Sequence, residues 1–159
     1  METKDGKQAV YAPTRAEWRN WLEENSQSEK SVWLILYHKK SKVPSININD
    51  ATEEALCFGW IDSLAKKRDA ESYYLTFTPR NPKSKWSKPN RERAERMIQQ
   101  GLMTHSGQQL VDIAKNTGTW ESRIFPRFET LVILYFRFIL VTNEHHLGYL
   151  FNLDNIYAA

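Results

Sequence analysis

The sequence predicts an α+β domain, a small antiparallel sheet packed with helices. Three observations predict it. Residues 31–39, 60–65 and 71–78 are β-branched and aromatic runs of strand length. Between and around them, apolar residues recur at spacings of three and four behind helix-capping residues. The short gap between 60–65 and 71–78 suits a hairpin, which makes those two strands antiparallel. A chain of 159 residues fits one domain, and 41% hydrophobic with 26% charged residues suits a folded core rather than a disordered chain.

Residues 1–13 are polar and read as a flexible segment. Thr14 followed by Glu17 is a capping box, and Trp18, Trp21 and Leu22 then form the apolar stripe of a helix ending near Asn25. In 31–39, Val32, Leu34 and Leu36 take one face and Trp33, Ile35 and Tyr37 the other. Apolar residues on both faces predict a central strand. His38, Lys39 and Lys40 close it, either as a solvated basic end or as ligand contacts.

Asp50 with Glu53 reads as a second capping box, opening a helix that buries Ala51, Ala55, Leu56 and Phe58 and stops at Gly59. Glu53 and Glu54 then sit in a first turn, where the helix dipole stabilises carboxylates. The functional alternative makes one of them a ligand acceptor in a cleft. Cys57, among apolar neighbours, reads as a buried inert thiol.

In the hairpin, Trp60, Asp62 and Leu64 share a face, as do Tyr73, Leu75 and Phe77. A carboxylate at a strand centre needs a cation, amides or water, and Lys66 and Arg80 are the nearest cations to Asp62. Pro79 ends the second strand. After a loop at 81–85, Ser87 caps a helix running to Gln100 with Ala94, Met97 and Ile98 inward. Thr104 or Ser106 caps another, carrying Leu110, Val111, Ile113 and Ala114 and ending at Gly118.

Charge is uneven. Residues 64–96 hold ten Lys or Arg against four acids, +6 in a chain of net +3, with Tyr73, Tyr74 and Trp86 interleaved. Basic groups around aromatics beside a helix start suit an anion; the alternative is a solvated basic face. The N-terminus has no apolar core like a secretory signal, the longest apolar run (131–141) is too short for a membrane span, and one Cys fits a reducing compartment. These point to a soluble cytoplasmic protein. There is no nucleophile–base pair, metal motif or Gly-rich phosphate loop, so no cofactor and no catalytic residue is expected. Glu144, His145 and His146 do not make a metal site, because adjacent His cannot face one ion from regular structure.

Several motifs occur together: Trp-Leu-x-x-Asn at 21–25, Val-Trp-Leu at 32–34, Lys39-Lys40, Glu-Glu-Ala-Leu-Cys-Phe-Gly-Trp-Ile-Asp at 53–62, Phe-Thr-Pro-Arg at 77–80 and Ser-x-Trp-Ser-x-x-Asn at 84–90. In this combination the chain, over about residues 14–118, resembles the YdeI/OmpD-associated family, whose members are labelled bacteriocin-protection proteins. The resemblance implies a YjbR/CyaY-like fold and a bacterial cytoplasmic protein linked to resistance against bacteriocins or cationic antimicrobial peptides. It implies no catalytic residues. Lys39, Glu53, Glu54, Trp60, Asp62, Lys66, Arg80, Ser84, Trp86, Ser87 and Asn90 are its candidate ligand-binding surface.

The resemblance also implies a C-terminal helical segment rich in Arg, Lys and Glu. Residues 119–159 contain no Lys and are apolar, which suggests a shifted reading frame or a truncated gene. An intact single frame in close relatives would sink that idea. The leading functional expectation is a non-enzymatic protein that binds an anionic small molecule or a protein partner across Asp62, Arg80 and Trp86. The alternatives are a nucleic-acid-binding module using 64–96 and an enzyme with Glu53 or Asp62 as base and Arg80 as anion clamp.

Overall fold

In the computed structural model, which describes residues 2–121, the Thr14 hydroxyl accepts the Glu17 amide and the Glu17 carboxylate accepts the Thr14 amide. This capping box opens α1 (Arg15–Asn25), which buries Trp18 and Leu22 as its stripe requires. The strands are β1 (Glu2–Lys4), β2 (Lys7–Tyr11), β3 (Val32–Tyr37), β4 (Trp60–Lys67) and β5 (Ser72–Pro79). The remaining helices are α2 (Ile48–Cys57), α3 (Lys88–Gln99) and α4 (His105–Thr117). One five-stranded sheet runs in the order β1-β2-β3-β5-β4, antiparallel except for the β2–β3 pair that α1 connects. The chain is α+β, as predicted, with β3 central.

The two faces of β3 serve two cores. Val32, Leu34 and Leu36, with Leu75, Phe77 and Trp60, pack against Trp18, Leu22, Ala55 and Met97 from the helices. Trp33, Ile35 and Tyr74 form a smaller core on the opposite face with Ala9. The three buried tryptophans on and beside the sheet each find a carbonyl: Trp18 donates to Ala51, Trp60 to Ser26 and Trp33 to Lys4.

The smaller core is covered by the first residues of the chain, expected as a flexible segment. They form a hairpin whose two turn residues, Asp5 (φ 51°) and Gly6 (φ 71°), both adopt positive φ. An Asp-Gly pair is the sequence signal for such a turn, and here it sits between strands short and polar enough to hide it. β1 and β4 are opposite edges in pairing order, yet Lys66 meets Asp5 at 2.9 Å and Arg68 meets Glu2 at 2.9 Å. The sheet therefore curls until side chains join its edges.

Two further expectations are corrected. α2 starts at Ile48 with Asn47, not Asp50, as its cap; the Asn47 side chain accepts the Asp50 amide. Glu53 and Glu54 therefore lie inside the helix, not in its first turn. In β4 the pairing shifts between Asp62, opposite Phe77, and Ala65, opposite Leu75. This bulge ends the alternation, so Leu64 leaves the Asp62 face and is exposed.

α4 sits on the C-terminal end of α2. The Thr104 amide and hydroxyl both donate to the Cys57 carbonyl, at 3.1 and 2.6 Å. Gly107 permits the approach, since a Cβ there would lie 2.3 Å from that same oxygen. No helix among the described residues is long and apolar enough to cross a membrane. Residues 122–159, which carry the apolar run, the Glu144–His145–His146 cluster and the reading-frame expectation, lie outside the described residues.

Candidate functional site

Glu53 and Glu54 are buried, and both are spent inside the fold. Glu54 is 2% exposed; one carboxylate oxygen is bound by Arg15 Nε and the other by Arg19 at 2.6 Å. Glu53 takes Arg15 at 3.0 Å and Arg96 at 2.5 Å. Burial pushes the Glu53 carboxyl up, but hydrogen bonds and charge from Arg96 and Arg15 outweigh it and hold the group below its usual range. Three arginines from two helices thus tie α1 and α3 to α2, and neither carboxylate is left to act as a base.

Trp60 is 1% exposed and faces the core. Asp62 is half-buried and meets neither predicted cation; among the described residues its carboxylate accepts one hydrogen bond, from the Thr52 hydroxyl at 3.4 Å. Lys66 is on the other side of the sheet, paired with Asp5 and 5.7 Å above the Trp33 ring. Arg80 (7% exposed) and Trp86 (2%) do come together, with the guanidinium 4.1 Å above the ring. Ser84 donates to the Asn81 carbonyl. Ser87 stands at the α3 cap position without a side-chain cap bond, and Asn90 accepts from Arg93. These residues are not presented as one surface. Cys57 is fully buried, and burial pushes its thiol up to about 11, so it stays protonated at neutral pH.

Of the predicted set, Lys39 points to an open site, because it follows His38. His38 and Tyr73 stack with centroids 5.3 Å apart and rings 26° from parallel. They line a pocket of about 570 Å³ with Ala65, Lys66, Lys67, Asp69 and Ala70. Register builds it: Leu36 pairs with Tyr73, Lys67 also pairs with Tyr73, and the β4–β5 turn closes the end. Asp69 shapes that turn. One of its oxygens accepts the Glu71 and Ser72 amides, both at 2.8 Å, and the other meets Arg68 at 2.9 Å.

The charge of the pocket is carried by few groups. The Lys66 ammonium is committed to Asp5, whereas Lys67 and Lys39 have no ion-pair or hydrogen-bond partner among the described residues. Lys67, Asp69 and Tyr73 were absent from the predicted surface, and His38 was read only as part of the basic strand end. Their signal was the basic strand end at 38–40 and the basic turn at 66–68, whose meeting depends on strand register.

The fold and this pocket define a small α+β domain with a basic, aromatic-walled recess at one end of its sheet. The chain belongs to the family described as a domain of unknown function, DUF8412, which matches residues 10–110. No curated protein and no solved structure matches it.

Proposed function

We propose that this protein is a non-catalytic binding protein that takes an anionic small molecule in the pocket of His38, Lys67 and Tyr73. The observation that carries this reading is the pairing of an open recess with a lysine that has no described partner. Lys67 is an exposed residue that lines the recess, and charge-assisted hydrogen bonds from an ammonium to an anion are the strong kind. The neighbouring Lys39 and Lys40 add to the positive field without occupying the recess. The resemblance to YdeI/OmpD-associated proteins supports a cytoplasmic role in resistance to bacteriocins or antimicrobial peptides, and a YjbR/CyaY-like relationship for the fold.

The nucleic-acid alternative loses most of its cations to the fold. Lys66 and Arg68 bind the N-terminal hairpin, Arg80 is buried, and Arg91 donates to the Trp120 carbonyl. Arg93 bridges Asn49 and Asn90, and Arg96 holds Glu53. A backbone-tracking surface needs many free cations at once. The enzyme alternative has Glu53 doubly paired with Arg15 and Arg96, and its other base, Asp62, meets no cation among the described residues, so Arg80 does not stand beside it as a clamp.

Titration of the full chain with inorganic pyrophosphate, followed by amide chemical shifts, tests the reading. Shifts confined to residues 36–40 and 65–73, weakened in Lys67→Glu, are expected. An absence of shifts at those amides removes it. Shifts spread over 80–96 with duplex DNA, falling steeply as salt rises, would instead favour the nucleic-acid alternative.

A further inference from the structure

On the reading that the pocket binds anions, we infer that its ligand is a mononucleotide: a flat heterocycle stacked on His38, with its phosphate at Lys67. Three features lead from "anion" to this narrower class. The first is the ring stack. His38 stacks on Tyr73 with the rings 26° from parallel and is itself an exposed residue, so Tyr73 backs one face of the imidazole and the other can serve as a platform for a third ring. Inorganic phosphate or a bare dicarboxylate has no ring to lay on such a platform, whereas every nucleobase has a π-face to offer.

The second feature is the acid among the cations. Asp69 lines the pocket, where a site built only for anions would exclude a carboxylate. The Glu71 and Ser72 amides bind it and hold its carboxyl below the usual range, so it is ionised and can only accept hydrogen bonds. Its three described hydrogen bonds leave acceptor capacity free. A ligand suited to this wall brings donors as well as negative charge, as the ribose hydroxyls and exocyclic amine of a nucleotide do. Lys67 at the end of β4 and Asp69 in the turn that follows both line the recess, so one ligand meets groups of opposite charge there.

The third feature is room. Ala65 and Ala70 carry the smallest side chains that line the recess, and about 570 Å³ lies within the usual range for small-molecule sites. The rigid part of the ligand can therefore lie between the His38 platform and the turn.

Calorimetric titration of the full chain with adenosine monophosphate, adenosine and inorganic pyrophosphate tests the inference, using wild type, His38→Ala, His38→Phe and Lys67→Ala. His38 and Lys67 are both exposed, so these substitutions leave the core untouched. The nucleotide is expected to bind more tightly than pyrophosphate. His38→Ala should cost the nucleotide about tenfold, the scale of one stacking contact, and leave pyrophosphate unchanged. His38→Phe should restore nucleotide binding, and Lys67→Ala should weaken nucleotide and pyrophosphate alike. Pyrophosphate binding at least as tightly as the nucleotide, or a nucleotide affinity indifferent to His38→Ala, overturns the nucleotide assignment and leaves the anion reading standing. Binding of neither overturns both.

Discussion

The Arg80 guanidinium lies 4.1 Å above the Trp86 ring, and among the described residues no carboxylate pairs with it. Its terminal nitrogen donates to the Lys85 carbonyl at 2.7 Å, while its Nε has no hydrogen-bond partner. Trp86 in turn packs on Trp120 at 4.9 Å. The arginine is a staple: it pulls the 81–86 loop onto the end of β5, with an aromatic face in place of a counter-ion. Burial lowers its pKa, as expected for a cation without an opposing charge.

A buried charge with an orphaned donor contributes little net stability, so Arg80→Met, similar in length and apolar, should change unfolding free energy by no more than about 1 kcal/mol. Trp86→Ala removes the packing itself and should cost about 3–5 kcal/mol. Urea denaturation of both variants checks the pair. A large loss in Arg80→Met with a small one in Trp86→Ala would show that the Arg80 hydrogen bonds, and not the packing of Trp86, hold the loop.

Glu54 predicts the opposite behaviour. Its carboxylate neutralises two guanidiniums at once, so Glu54→Gln keeps the shape but removes the charge that both arginines face. The expected loss is about 3 kcal/mol, since breaking a buried pair leaves charge uncompensated. A melting temperature equal to wild type would show that Arg19 is satisfied by solvent and Arg15 by its remaining partners Glu53 and Asp50.

Gly107 is required for space. A Cβ would meet the Cys57 oxygen at 2.3 Å and the Leu56 oxygen at 2.7 Å, both backbone atoms that cannot swing aside. Gly107→Ala should therefore destabilise by about 1–3 kcal/mol despite alanine's better helix propensity. Stabilisation, the outcome propensity alone predicts, would show that α4 can shift away from α2.

The N-terminal hairpin should respond to acid. The Arg68 hydrogen bond, then that of Tyr74, holds the Glu2 carboxyl below the ordinary value of 4.5. A lowered carboxyl contributes fully above 4.5, and its contribution is lost as pH falls through the lower folded value. The Trp33 indole, which donates to Lys4 in β1, reports on this. Its hydrogen-exchange protection should fall as pH drops through 4.5 and below, and the fall should shrink in Glu2→Gln. An indole signal unchanged across that range would show the hairpin held by other contacts.

Much of the fold was legible because its signals are local. A capping box acts over three residues, as at Thr14 and Glu17, and a helical stripe over four, as at Trp18 and Leu22. The two-sided apolar run of β3 announced a central strand, and the 60–78 hairpin needed only its turn. Competing local signals caused the errors. Asn47 and Asp50 are both good caps, and choosing the later one moved Glu53 and Glu54 from the helix interior to its first turn. The Asp5–Gly6 turn was visible, but its strands were too short and polar to read as strands.

By itself, the sequence determined the α+β class, the central strand, the helix faces and the burial of Cys57. Each follows from hydrogen bonding and apolar periodicity within a few residues. Tertiary structure alone decided what the charged groups do. Arg15 and Glu54 are 39 residues apart and Lys66 and Asp5 are 61 apart, so no local spacing predicts either pair. The pocket is of the same kind: His38 and Lys67 line one recess only because β3 and β4 both pair with β5, and a shift of one residue would turn either side chain to the other face.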